Sequence, residues 1–158
     1  MIRVTQTRTG KPAGNCTEAA IASILECRLE DVPDLFDPTE DPDSLTFRNA
    51  RFVLLHDWLR VRGLMYGQIQ AHPSLAIPKF ASMFGDAFVA DRYHLLGGYS
   101  PDGVGHMTVG LMGDVVWDPN PLRRGIVDPD EVTFFVPLEK LPNHVREWPG
   151  IQWDVSDG

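Results

Sequence analysis

The stretch Gly14-Asn15-Cys16-Thr17-Glu18-Ala19-Ala20-Ile21-Ala22-Ser23-Ile24-Leu25 decides the reading of this chain. Its centre is almost wholly alanine and isoleucine, which predicts a helix apolar on every side and therefore central and buried. Asn15 and Glu18 have the Asn-x-x-Glu spacing of a capping box, so the helix is expected to open at Cys16 and run to about Cys27. A thiol then stands at the first helical position, where free backbone N–H groups and the helix dipole favour a thiolate. Cysteine in an alanine-rich helix is otherwise an ordinary small core residue. Placement at the helix start marks Cys16 as a candidate nucleophile; Cys27 has no such placement and reads as packing.

The 158 residues suit a single domain covering 1–158, and the apolar and charged fractions, 43% and 23%, are those of a globular protein. Net charge is −8, with acid gathered in residues 30–43 and again at 154–157. That balance argues against nucleic acid or an anionic membrane as the main partner, since both demand a basic face. Along one helix Cys16 and Cys27 would lie roughly 16 Å apart at about 1.5 Å per residue, too far for a disulfide. Two unpaired thiols imply a reducing compartment. Met1 to Gln6 lacks the apolar centre of a signal peptide, and no apolar run reaches transmembrane length. A cytoplasmic chain is expected.

Outward from the helix, residues 1–13 read as an extended arm ending in a Gly-Lys-Pro loop. Leu29 to Phe36 reads as a short helical turn broken at Pro33, and Asp37 to Ser44 as an acidic loop. Phe47, Ala50, Leu54, Leu55, Trp58 and Val61 recur at helical spacing and predict a second helix over Phe47 to Arg62, stopped by Gly63. A short strand over Leu64 to Ile69 is expected next, and a helix over Ile77 to Met83. The period then changes. Arg92 to Tyr99, His106 to Met112, Asp114 to Trp117 and Val132 to Val136 predict strands. Helices followed by an antiparallel sheet make an α+β fold, N-terminal helices packed on a C-terminal sheet.

The chemistry sits where these halves would meet. Alternation places His106, Thr108 and Gly110 on one strand face and Met107, Val109 and Leu111 on the other. Gly113-Asp114 is a suitable hairpin turn that returns the chain as Val115-Val116-Trp117-Asp118. In that register Asp118 falls opposite Val109 while Asn120 comes closer to His106, so either one is a candidate to orient the imidazole through Nδ1–H. A thiol with a histidine as proton carrier, itself oriented by a third group, is the pattern of nucleophilic catalysis. The oxyanion needs donors. The Cys16 N–H is one; the Gln6 side-chain amide is another if the Gly10 to Gly14 loop folds back, an exposed arm residue being the plain alternative.

The other histidines carry less. His56 beside Asp57 is expected to face solvent, His94 to lie on a strand face, and His72 and His144 to sit in loops. No His/Cys spacing suits zinc, and no phosphate loop or dinucleotide fingerprint occurs, so neither metal nor cofactor is expected.

Together, Asn15-Cys16-Thr17-Glu18-Ala19-Ala20, Gly105-His106-Met107-Thr108-Val109-Gly110 and Val116-Trp117-Asp118-Pro119 resemble the papain-like cysteine peptidase fold. They are most similar to its small bacterial C39-like branch, in which Cys-Gly-x-Ala opens the helix and His and Asp-Pro lie on adjacent strands. The chain also resembles small proteins of tailed bacteriophages with an Asn-Cys helix, a Gly-His strand and an Asp-Pro-x-Pro exit. The resemblance implies Cys16 as nucleophile, His106 as general base and acid, Asp118 as orienting carboxylate and Gln6 as oxyanion glutamine. Two positions depart from the pattern: Thr17 replaces the glycine after the cysteine, and Gln6 lies several residues further upstream.

The expected activity is hydrolysis of an amide, peptide or isopeptide bond, on a peptide or amide substrate or a host protein. The Ser100 to Gly105 turn and the Asp118 to Arg124 segment are expected to wall the cleft, with Asn15, Trp117 and Asn120 as candidate substrate contacts. Trp117 is equally a candidate for the core. Acyl transfer by the same residues, or a non-catalytic module gripping a host factor, are the other readings.

Overall fold

In the computed structural model the described residues are 1–10, 14–35, 45–70 and 92–140. They form two α-helices, α1 (Cys16–Leu25) and α2 (Leu45–Val61), and five strands: β1 (Leu64–Gln70), β2 (Tyr93–Tyr99), β3 (Gly105–Leu111), β4 (Asp114–Trp117) and β5 (Asp128–Pro137). The strands make one antiparallel sheet in the order β1-β5-β2-β3-β4. This is the α+β layout expected from the sequence. The expected acidic loop (37–44) and the expected helix (77–83) lie outside the described residues, as do His72 and His144.

Ala19, Ala20, Ile21 and Ala22 of α1 are fully buried, as an all-round apolar helix must be. Ala20, Ile21 and Ala22 share one core with Val32, Leu35, Leu55, Leu59, Leu95, Val109 and Trp117, and α1 packs chiefly against β3. The helix stops at Leu25, two residues before the expected end. Glu26 turns left-handed (φ 55°) and its N–H closes on Ala22 O. On α2 the inner stripe is Leu55 and Leu59 with Trp58 partly covered; Leu54 and Val61, expected inside, are exposed. Residues 55, 58 and 59 form one tight helical face, and Leu54 points about 100° away from Leu55. His56 is only 19% exposed, more covered than expected.

Asn15 precedes α1 as its cap residue but makes no side-chain cap bond, so the expected capping box is absent. Competing partners win both side chains. Asn15 Oδ1 accepts the N–H groups of Thr7 (3.1 Å) and Arg8 (3.0 Å), and its Nδ2 donates to Thr7 Oγ1. Glu18 turns inward and accepts Leu35 N–H at 3.1 Å. Burial pushes its carboxyl upward, against the pull of that bond.

The amino-terminal arm is stitched across α1 and the sheet. Ile2 N–H bonds Ser23 O, Val4 N–H bonds Ser23 Oγ, Trp117 Nε1–H bonds Val4 O, and Gln6 N–H bonds Pro119 O.

Two local features set the register that matters. The β3–β4 turn is Met112-Gly113 (φ 54° and 89°), not Gly113-Asp114, because both central residues of this tight hairpin need positive φ. The pairing then slips between Val109 and Gly110: Gly110 faces Val115, while Val109 faces Trp117. Val116 is the extra residue of a bulge. Strand β5 begins at Asp128, earlier than the expected Val132, since pairing with β2 resumes beyond a second slip at Gly97/Gly98.

Removing the Asn15 side chain should leave the part-buried N–H groups of Thr7 and Arg8 without their acceptor. Asn15→Ala is expected to lose about 1–3 kcal/mol in urea unfolding; a loss confined to the few tenths typical of a surface site would mean that the arm is not held this way.

Candidate active site

Cys16 is the first residue of α1, half-buried, and its N–H belongs to the turn that has no intrahelical acceptor. His106 lies one residue into β3 and is buried. Both line one cleft of about 240 Å³ with Gln6, Gly10, Gly14, Ser100, Asp102, Val104, Gly105 and Asn120. The imidazole is hydrogen-bonded to Asp118, Nε2 to Oδ1 at 2.7 Å, and Cys16 lies near enough to help raise its pKa. The nitrogen used for the carboxylate is thus Nε2, where the sequence reading expected Nδ1. Nδ1 is left outside that bond.

The bulge brings Asp118 onto the face of His106, and it takes this position while Asn120 Oδ1 is engaged by Leu122 N–H. Continued one residue past β4, the slipped register sets Asp118 against Thr108, on the same strand face as His106. The register expected from a Gly113-Asp114 turn had put it opposite Val109, on the other face.

The carboxylate is itself held. Asp118 Oδ1 also accepts Asn120 N–H (2.8 Å), and Oδ2 accepts Gly125 N–H (2.8 Å). Burial would raise its pKa, but the bonds from His106, Gly125 and Asn120 outweigh burial and hold it below the ordinary carboxylate value. For His106, burial opposes the charged ring, while hydrogen bonds and charge from Asp118 and Cys16 prevail and push it up to about 9. Chemically this is a sulfur beside an imidazolium whose orientation is set by an ionised, triply hydrogen-bonded carboxylate.

Gln6, expected either as an oxyanion donor or as an exposed arm residue, is buried and lines the cleft. Its Nε2 donates to Arg8 O at 2.9 Å, and its Oε1 has no partner. An amide nitrogen carries two hydrogens, so one stays available. The arm's bonds to Ser23, Trp117 and Pro119 bring it here despite its upstream position.

The three candidate substrate contacts separate. Asn120 lines the cleft, though its Oδ1 accepts Leu122 N–H. Asn15 is buried and its oxygen and nitrogen are committed to Thr7 and Arg8, so it supports the arm and does not line the cleft. Trp117 is in the core, its Nε1–H given to Val4 O and its ring between the guanidinium groups of Arg3 (5.3 Å) and Arg123 (4.9 Å). Of the expected walls, Ser100, Asp102, Val104 and Gly105 line the cleft, with Ser100 N–H closing the turn on Val104 O and Asp102 paired to Arg124. Sequence reasoning missed the two backbone donors to Asp118. The Asn120 N–H was readable as an Asx turn from Asp118-Pro119-Asn120; nothing local announces Gly125.

Among the described residues no group of three or more His, Cys, Asp or Glu could hold a metal ion, and no helix is long and apolar enough to cross a membrane. Comparison of the chain with known families, curated proteins and solved structures finds no match.

The charged His106 ties the site to stability. Its folded pKa of about 9 lies above the unfolded value of about 6.5. The stabilisation is therefore fully present below about pH 6.5 and is lost as pH rises through about 9, on the order of 3 kcal/mol. Urea unfolding of wild type and His106→Gln should show a gap that closes between about pH 6 and about pH 10. A gap of the same size at both ends would contradict the bond network described here.

Proposed function

We propose that this chain is a papain-like cysteine hydrolase that cleaves an amide, peptide or isopeptide bond. The observation that carries the reading is the buried 2.7 Å bond from His106 to Asp118, with Cys16 lining the same open cleft close enough to help raise the imidazole pKa. A histidine placed only for packing needs neither a carboxylate with three donors nor a thiol at a helix start.

The reaction follows from these positions. Cys16 Sγ, as the thiolate paired with the His106 imidazolium, attacks the carbonyl carbon and forms a tetrahedral oxyanion. The Cys16 N–H and the unengaged hydrogen of Gln6 Nε2 are the donors for that oxygen. As the C–N bond breaks, His106 gives its Nδ1 proton to the leaving amine. The thioester that remains is attacked by water, whose proton returns to Nδ1, and the acid leaves with the thiolate–imidazolium pair restored. Asp118 holds Nε2–H throughout and keeps the ring in plane with both partners. An amine in place of that water would give acyl transfer from the same intermediate.

The test is turnover of a mixed library of fluorogenic peptide amides. Cys16→Ala should abolish cleavage, and His106→Ala should lower it by about 10²–10⁴. The wild-type rate should fall as pH rises through about 9, where His106 loses its proton. Asp118→Asn, which removes the charge that raises that pKa, should move this limb to lower pH. Adding a primary amine and weighing the products separates hydrolysis from transfer. A thiol that alkylates no faster than free cysteine, together with no turnover, would leave a binding module instead.

A further inference from the structure

We infer that Gly105 is a specificity-determining residue, kept bare so that substrate can lie directly against the backbone beside His106. The inference rests on reading the cleft as the substrate cleft of a thiol hydrolase, and it starts from what the other glycines do.

Three other strand glycines have a reason inside the protein. A Cβ on Gly67 would meet the Phe134 ring at 2.6 Å, one on Gly97 would meet Glu131 Cβ at 3.1 Å, and one on Gly110 would meet His94 Nε2 at 2.5 Å. Of the cleft glycines, Gly10 has φ +87°, where a side chain is strained, and a Cβ on Gly14 would come 3.1 Å from Gly10 O. Gly105 has neither reason. Its φ lies outside the positive range, and among the described residues nothing beyond its chain neighbours stands within 4 Å of the Cβ position.

Glycine at the start of a strand costs stability relative to alanine, through the greater freedom it has when unfolded. No packing or backbone requirement offsets that cost at Gly105. What the position does have is a place in the wall of the cleft that Cys16, Gln6 and His106 also line. Strand glycines without an internal neighbour mark sites where a ligand approaches the backbone closely. The cleft is small, and among the described residues its lining contains three glycines and one aliphatic side chain, that of Val104. Carbon added at Gly105 would therefore occupy the path of a substrate chain and touch nothing else. The substrate class is an extended acyl donor with little bulk beside the scissile carbonyl, laid backbone to backbone along the entrance of β3.

The experiment compares two alkylating probes on Cys16: iodoacetamide, which needs no cleft, and acetyl-Ala-Ala chloromethyl ketone, which must lie along it. Both form an S–C bond with loss of halide. The ratio of peptidyl to iodoacetamide rate should fall about ten- to a hundredfold in Gly105→Val, and by less in Gly105→Ala. The melting temperature of Gly105→Ala should be equal to or above that of wild type. An unchanged ratio in Gly105→Val overturns the inference, and so does a lowered melting temperature in Gly105→Ala, which would reveal an internal neighbour. Wild type reacting with both probes no faster than free cysteine overturns the hydrolase reading itself. The two failures are thus told apart.

Discussion

The carboxylate of Asp118 is the point on which the site depends. Removing a charge from water is expensive unless its lone pairs are met, and here they are met from two directions: the sheet through His106 Nε2, and the following loop through the N–H groups of Asn120 and Gly125. One anion therefore fixes an imidazole and shapes a cleft wall together. Without it the ring would lose its orientation and the 118–125 loop its anchor. The rise of the His106 pKa and the depression of the Asp118 pKa are two sides of the same bond.

A second support comes from the amino-terminal arm. Its contacts to Ser23 of α1 and to Trp117 and Pro119 join the cysteine helix to the exit of β4. Asn15 closes the same join from the other end by accepting from Thr7 and Arg8. Cys16 and Asp118, about a hundred residues apart in sequence, are held in place by a segment that belongs to neither element. Gln6 reaches the cleft only as a result of this path.

Much of the arrangement was legible before any coordinates. The alanine-rich run from Ala19 announced a buried helix with Cys16 at its head, and the change of period after Arg92 announced the sheet that carries His106. Where the reading departed from the structure, a tertiary contact overrode a local pattern. Asn15 and Glu18 have capping-box spacing, yet the arm and Leu35 compete for their side chains and win. Leu54 fits a helical repeat, but the face that meets the core is that of Leu55 and Leu59. Whether Asp118 shares a face with His106 hung on a turn shifted by one residue and a bulge at Val116, features set by backbone conformation.

That bulge makes the hairpin a counted segment. Strand side chains alternate, so the spacing from Val109 to Trp117 fixes which of two adjacent residues, an indole or a carboxylate, is turned toward the core. Lengthening or shortening the hairpin by one residue would exchange them, burying an acid among Ala20, Ile21 and Val109 and presenting a tryptophan to the histidine. Drift in the length of this loop is therefore confined to steps of two, and a lineage that gains a single residue here has to rebuild its bulge.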